Sequence, residues 1–173
     1  MSTANGKGIL NMMKSHLPVM GVGPLIVIPQ AVLTIASLIL CYYGLIPVFR
    51  LDESIVAMFV FGLVLIRWGI LLWIYAINSN IVEGIKDNLL VVDGAYDLVR
   101  NPIYSAFWLI FTGLIIAFSN LLLLIVPIIN YIYMSVYIIK TEEKWLYKMH
   151  GNEYKLYCDS VRRIIPKIKK IKF

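Results

Sequence analysis

Between Asn101 and Ile139 the chain carries no Asp, Glu, Lys or Arg. As one α-helix this run would extend about 58 Å, nearly twice the ~30 Å hydrocarbon core of a bilayer. It therefore has to fold back on itself, and Ser119-Asn120 is the natural turn. Pro127 then falls inside the returning helix, where it is expected to remove a backbone hydrogen bond and kink the span. Residues 17–49 also lack charged side chains, and residues 54–82 contain only Arg67. Each stretch exceeds the roughly 20 apolar residues that cross a membrane. With a mean hydropathy of +0.80 and 15% charged residues, a soluble domain is excluded.

The fold class expected is an all-α integral membrane protein of about four transmembrane helices, with a helical hairpin and a cytoplasmic C-terminal helical tail. The spans are predicted near 19–48, 54–77, 102–118 and 121–139, within a single domain of residues 1–173. Residues 1–16 lack the cleavage pattern of a signal peptide, so the first span is expected to be retained. Gly21, Gly23, Pro24 and Pro29 predict broken or interfacial first turns. Cys41 and Cys158 have neither metal-ligand spacing nor disulfide placement and read as packing residues.

Lys and Arg near span ends favour the cytoplasmic side. From Lys140 onward ten Lys and Arg face Glu142, Glu143, Glu153 and Asp159, so the tail holds +6, the formal charge of the whole chain. With four spans, both termini and the 78–102 loop lie in the cytoplasm, and a short chain of this kind suits a prokaryotic cytoplasmic membrane. The tail from Lys148 to Phe173 mixes basic with apolar residues, as an interfacial strap on anionic lipid does. That placement explains the charge without nucleic acid.

Two polar clusters stand at the borders of the apolar runs. One is Gly94-Ala95-Tyr96-Asp97-Leu98-Val99-Arg100-Asn101-Pro102-Ile103-Tyr104 and the other is Thr141-Glu142-Glu143-Lys144-Trp145-Leu146. Polar groups gathered at a membrane border point to a site. From about Ala76 to Pro166 the chain resembles the isoprenylcysteine carboxyl methyltransferase and phospholipid methyltransferase group of membrane enzymes. The likeness is carried by Leu90-Val91, Gly94, Tyr96, Arg100-Asn101-Pro102-Ile103-Tyr104, Glu142-Glu143-Lys144-Trp145-Leu146, Gly151, Tyr154, Tyr157 and Pro166, in the order and spacing of that group. Asn101 replaces the His usual in its Arg-His-Pro motif. Since His16 and His150 lie elsewhere, a histidine base at this position is excluded, whereas amide hydrogen bonding survives. Ala106 also stands where Gly is common.

The resemblance implies a methyltransferase using S-adenosylmethionine and releasing S-adenosylhomocysteine, with the cofactor held by segments 78–104 and 140–166. It assigns cofactor contacts to Leu90, Val91, Gly94, Tyr96, Asn101, Tyr104, Glu142, Glu143, Tyr154 and Tyr157, and catalytic roles to Arg100 and Asn101; Arg67, a mid-span cation outside the resemblance, is the third catalytic candidate. The chemistry agrees: a sulfonium cofactor with an ammonium and a ribose asks for a carboxylate, amide groups and aromatic faces. Methyl transfer is an in-line displacement that requires alignment, with no metal. Glu142 and Glu143 stand about 100° apart on a helix, so one faces the pocket, with Glu142 favoured, while the other braces it. The acceptor is a small or lipophilic molecule bearing a carboxylate, thiol, amine or lipid head group, approaching through membrane lipid. A carboxylate acceptor would be positioned by Arg100, Arg67 or Arg163.

Other readings stay open at this stage. Arg67 snorkels, pairs with Glu142 or lines the pocket. Arg100 is a topological anchor, the Glu pair a solvated helix end, and the tyrosines an interfacial belt. An NADPH-dependent reductase is the alternative enzyme, because sterol reductases resemble the same C-terminal pattern. A non-catalytic scaffold is the alternative to an enzyme.

Overall fold

The computed structural model describes residues 22–50, 52–79 and 89–165. The described residues form an all-helical membrane protein without strands. Three helical stretches, Gly23–Tyr42, Asp52–Ile77 and Leu121–His150, are long and apolar enough to cross a membrane, and Pro102–Ala117 is a shorter apolar helix. The basic strap expected after residue 165 and the polar residues 1–16 lie outside the described residues.

Helix α1, Gly23–Tyr42, begins with Pro24 in its first turn, where a missing N–H removes nothing. The broken entry expected from the Gly/Pro composition is thus a helix start. Pro29 lies inside α1 and cannot bond the Leu25 carbonyl. The Tyr133 hydroxyl donates to that carbonyl at 2.7 Å, which keeps the helix continuous in lipid, where a freed carbonyl needs a partner. Tyr133→Phe is therefore expected to lower stability by about 1 kcal/mol, read as a lower thermal midpoint in detergent, while Tyr131→Phe serves as the control.

The helix closes earlier than the predicted 48. Gly44, at φ 75°, takes the left-handed position, with Gly44 N–H donating to Cys41 O and Leu45 N–H to Leu40 O. This is a Schellman ending. A 3-10 turn, Asp52–Ser54, leads into α2, Ile55–Ile77. After the short α3, Ala95–Leu98, come α4, Pro102–Ala117, and α5, Ile125–Ile138, which a 3-10 turn at Leu121–Leu124 precedes. Helices α4 and α5 make the expected hairpin. Pro127 falls in the first turn of α5, where a missing N–H is tolerated.

At the hairpin tip Ser119 has φ 56°, and the fully buried Asn120 uses its whole amide. Its Oδ1 accepts from the Leu122 and Phe49 N–H groups, and its Nδ2 donates to Pro47 O and meets Cys41 Sγ. One Asn thus ties the α1–α2 connection to the hairpin. Inside the bundle, Asn130 donates to Thr34 Oγ1 at 3.1 Å and joins α5 to α1. Ile26, Tyr104, Met134 and Ile138 pack together at one end of these helices, and Cys41, Ile115, Leu123 and Val126 at the other. Helices α2 and α4 touch backbone to backbone. A Cβ on Gly62 would stand 2.6 Å from Gly113 O, and one on Gly69 2.8 Å from Ala106 O. Small residues at such crossings let helices pack closely in lipid.

Helix α5 does not stop at the membrane border. It passes through a π turn, Ile139–Glu143, into α6, Lys144–His150. Thr141 Oγ1 bonds Tyr137 O at 2.7 Å within this turn. Gly151, at φ 53°, reverses the chain into α7, Asn152–Ser160. Tyr154, Tyr157 and Val161 then pack with Leu90 and Leu146 into a third apolar cluster.

Candidate functional site

The π turn carries both acidic residues of the second cluster. Its wider winding changes the register of the helix, as such turns often do at functional sites, and each glutamate receives a different set of partners. Glu143 is held by cations. Arg163 Nε and Nη2 grip its two oxygens at 2.8 Å each, and Arg100 Nη2 lies 3.2 Å from Oε1. The Arg100 and Glu143 side chains are only 10% and 12% exposed and that of Arg163 30%, so this triad is largely withdrawn from water. Hydrogen bonding to Glu143 raises the Arg163 guanidinium above its already high range, and it stays charged.

Among the described residues Glu142 meets only neutral donors. The Tyr104 hydroxyl donates to its Oε1 at 2.5 Å, and the Val22 backbone N–H at the start of α1 donates to the same carboxylate. Among the described residues no cation forms an ion pair with it. Helix α1 begins close to this pair: a Cβ on Gly23 would meet the Tyr104 hydroxyl at 3.7 Å, an ordinary contact. Tyr96 stands near enough for the Glu142 charge to act on it; burial first, and that charge second, hold its phenol protonated far above the usual range.

Asn101 occupies the border ahead of Pro102 in a non-helical conformation, φ −127° and ψ 66°, as a residue before proline prefers. Its backbone N–H and its Nδ2 both donate to Arg163 O, at 3.2 and 3.1 Å, while Arg100 N–H donates to Arg162 O at 2.9 Å. The amide that replaces the imidazole thus fastens the C-terminal segment across the mouth of the hairpin. Arg100 also contacts Cys158 Sγ, and its Nε is buried without a partner. Tyr157 donates to Tyr96 O at 2.6 Å, so α7 holds α3 in place. Burial keeps both Tyr154 and Tyr157 protonated, with the Glu143 charge acting second on Tyr154 and Tyr96 second on Tyr157; they are donors and not bases.

Of the residues singled out in the sequence, Arg100, Asn101, Tyr96, Tyr104, Glu142, Glu143, Tyr154 and Tyr157 come together at one end of the bundle. Gly94 serves the turn into α3: its φ is 63°, and a Cβ there would stand 2.9 Å from Ser79 Oγ, which accepts from Ala95 N–H. Leu90 packs on the Tyr154–Tyr157 cluster, and Val91 is half-buried in the irregular segment before Gly94. Arg67 is exposed on α2 and joins neither glutamate. Part of the 78–104 segment, residues 80–88, lies outside the described residues.

Two participants went unnoticed in the sequence. Val22 contributes a backbone N–H, for which a sequence has no signal beyond the start of a helix. Cys158 lies beside Arg100, and only its place between Tyr157 and the tail arginines hints at that. Arg163, which suggested a site for an acceptor, is instead committed to Glu143.

A family model described as phospholipid methyltransferase matches residues 56–153, more than half of the chain. The match takes in α2, the hairpin and both glutamates, and stops short of Tyr154, Tyr157 and Arg163. Neither a curated protein nor a solved structure shows significant similarity to the chain.

Proposed function

This chain belongs to the phospholipid methyltransferase family, and we propose that it transfers a methyl group from S-adenosylmethionine to a lipophilic acceptor, a lipid head group, at the membrane border. The observation that carries this reading is the carboxylate of Glu142. It accepts from the Tyr104 hydroxyl, lies near Tyr96, and has no cation partner among the described residues, so it suits a cationic ligand. The donor set fits the cofactor: Glu142 for an ammonium or ribose hydroxyls, Tyr96 and Tyr104 for aromatic faces, and the unused Arg100 Nε for an acidic group.

The bound cofactor supplies a methyl activated by its sulfonium. The chain's part is alignment and electrostatics. Tyr104 fixes the orientation of Glu142 through its 2.5 Å bond. Glu143 pairs with both Arg100 and Arg163 and holds them where the tail crosses the hairpin. Asn101 keeps that crossing in register through Arg163 O and moves no proton. The cluster lies on the cytoplasmic side by the charge of the tail, with the cofactor arriving from water and the acceptor sideways from the bilayer.

The test is the thermal midpoint of the purified protein against S-adenosylmethionine, S-adenosylhomocysteine and NADPH. Both adenosyl ligands are expected to raise it saturably, by about 2.7 kcal/mol of added stability at a hundred times Kd. Glu142→Gln should keep the unliganded midpoint and lose the shift. A shift with NADPH alone would establish a reductase instead, and no shift with any ligand would remove the enzyme reading.

A further inference from the structure

At the other end of α4, about 24 Å along its axis from the glutamates, the surface holds a groove of about 380 Å³. Ile55, Val56 and Phe59 of α2 form one wall, Ala117, Phe118 and Ser119 the other, and Arg50 stands at its mouth. The Ser119 hydroxyl is already turned to the Ile55 and Ala117 carbonyls. Arg50 is exposed, lies over the Phe118 ring at 6.0 Å, and forms no ion pair among the described residues. No carboxylate among the described residues occupies its planar donors, and a guanidinium beside apolar walls at a membrane border matches a phosphate carried on an acyl glycerol. Asp52 and Glu53 follow in the adjoining 3-10 turn, outside the groove lining and likewise without an ion pair. They make a purely anionic head group a poor fit and favour a phosphate that carries an ammonium.

We propose that this groove binds one zwitterionic phospholipid from the leaflet opposite the glutamate cluster, its phosphodiester on Arg50, its ammonium toward Asp52 and Glu53, and the first part of its acyl chain against Val56 and Phe59. The site is separate from the methyl-transfer site and does not depend on that assignment.

Native mass spectrometry of the delipidated full chain tests it, with dioleoyl phosphatidylcholine as the probe. Its fully methylated amine keeps it from acting as a methyl acceptor. The wild type should bind one phosphatidylcholine at least tenfold more tightly than Arg50→Gln or the groove-filling Val56→Trp, each checked for an unchanged thermal midpoint without lipid. Dioleoyl phosphatidylglycerol should bind more weakly than phosphatidylcholine, and dioleoylglycerol and inorganic phosphate should not compete. Equal retention by Arg50→Gln, or binding of dioleoylglycerol as tight as that of phosphatidylcholine, overturns the phosphate contact. Displacement by inorganic phosphate would make this an anion site and not a lipid site. Phosphatidylglycerol matching phosphatidylcholine overturns the role given to Asp52 and Glu53.

Discussion

Glu143→Gln is expected to lower the unfolding midpoint more than any other single charge removal in the chain, at a cost of about 3 kcal/mol. Arg100 is slightly more buried than Glu143. Removing the carboxylate charge leaves two guanidinium groups facing each other with no counter-charge, in a place where water reaches them poorly. The more exposed Arg163 contributes the smaller part, since solvent screens it. The loss should also be local. Segment 161–165 is held by the Arg163–Glu143 bond and by the Arg100 and Asn101 contacts to Arg162 O and Arg163 O. Amide hydrogen exchange there should accelerate before that of α1 or α5. Glu142→Gln should leave both quantities near wild type, because among the described residues only neutral donors face that carboxylate. An unchanged midpoint and unchanged protection in Glu143→Gln would mean that the triad does not hold the tail.

Gly113→Leu is expected to be as severe, for a reason that involves no charge. A Cβ at this position would stand 2.6 Å from Gly62 O and 3.0 Å from Ile66 N, and backbone atoms in the middle of a helix cannot give way. The helices α2 and α4 would have to separate along their whole contact, at a cost of about 3 kcal/mol or more. Separation would also disturb Ser79, at the end of α2, which bonds Ala95 N–H and so positions α3 and Tyr96. Cofactor-dependent stabilisation should therefore weaken along with the midpoint. Gly113→Ala should show the same effects in milder form. If Gly113→Leu retained the wild-type midpoint, the close crossing would be wrong.

The apolar runs made the helix content and the hairpin legible, because the length of a charge-free run against the thickness of a bilayer is arithmetic. The turn at Ser119-Asn120 followed from the same count, and the structure adds that Asn120 also anchors residues 47–49. Prolines were harder to read. Pro24, Pro29 and Pro127 carry the same local signal, yet Pro24 and Pro127 fall in first turns, and Pro29 is accommodated by a hydroxyl 104 positions away in the sequence, Tyr133. Local rules describe what a proline removes; they are silent on which distant side chain replaces it.

The ordered polar residues around Arg100 and Glu142 singled out, by themselves, groups that the fold brings to one end of the bundle, since a membrane leaves few reasons to gather such groups at its borders, whereas Arg67, singled out with them, stays exposed on α2. The sequence also determined that Asn101 is no imidazole base. Only the tertiary structure decided how the two glutamates divide. On a regular helix neighbouring residues differ by a rotation alone, and either could face a ligand. The π turn is local, but the arrival of α1 with the Val22 N–H that bonds Glu142, and the return of the chain at Gly151 that brings Arg163 back, are long-range events. Among the described residues they give Glu143 two cations and Glu142 none, and that asymmetry of charge, invisible in a pair of identical letters, is what commits one carboxylate to holding the tail and leaves the other to neutral donors.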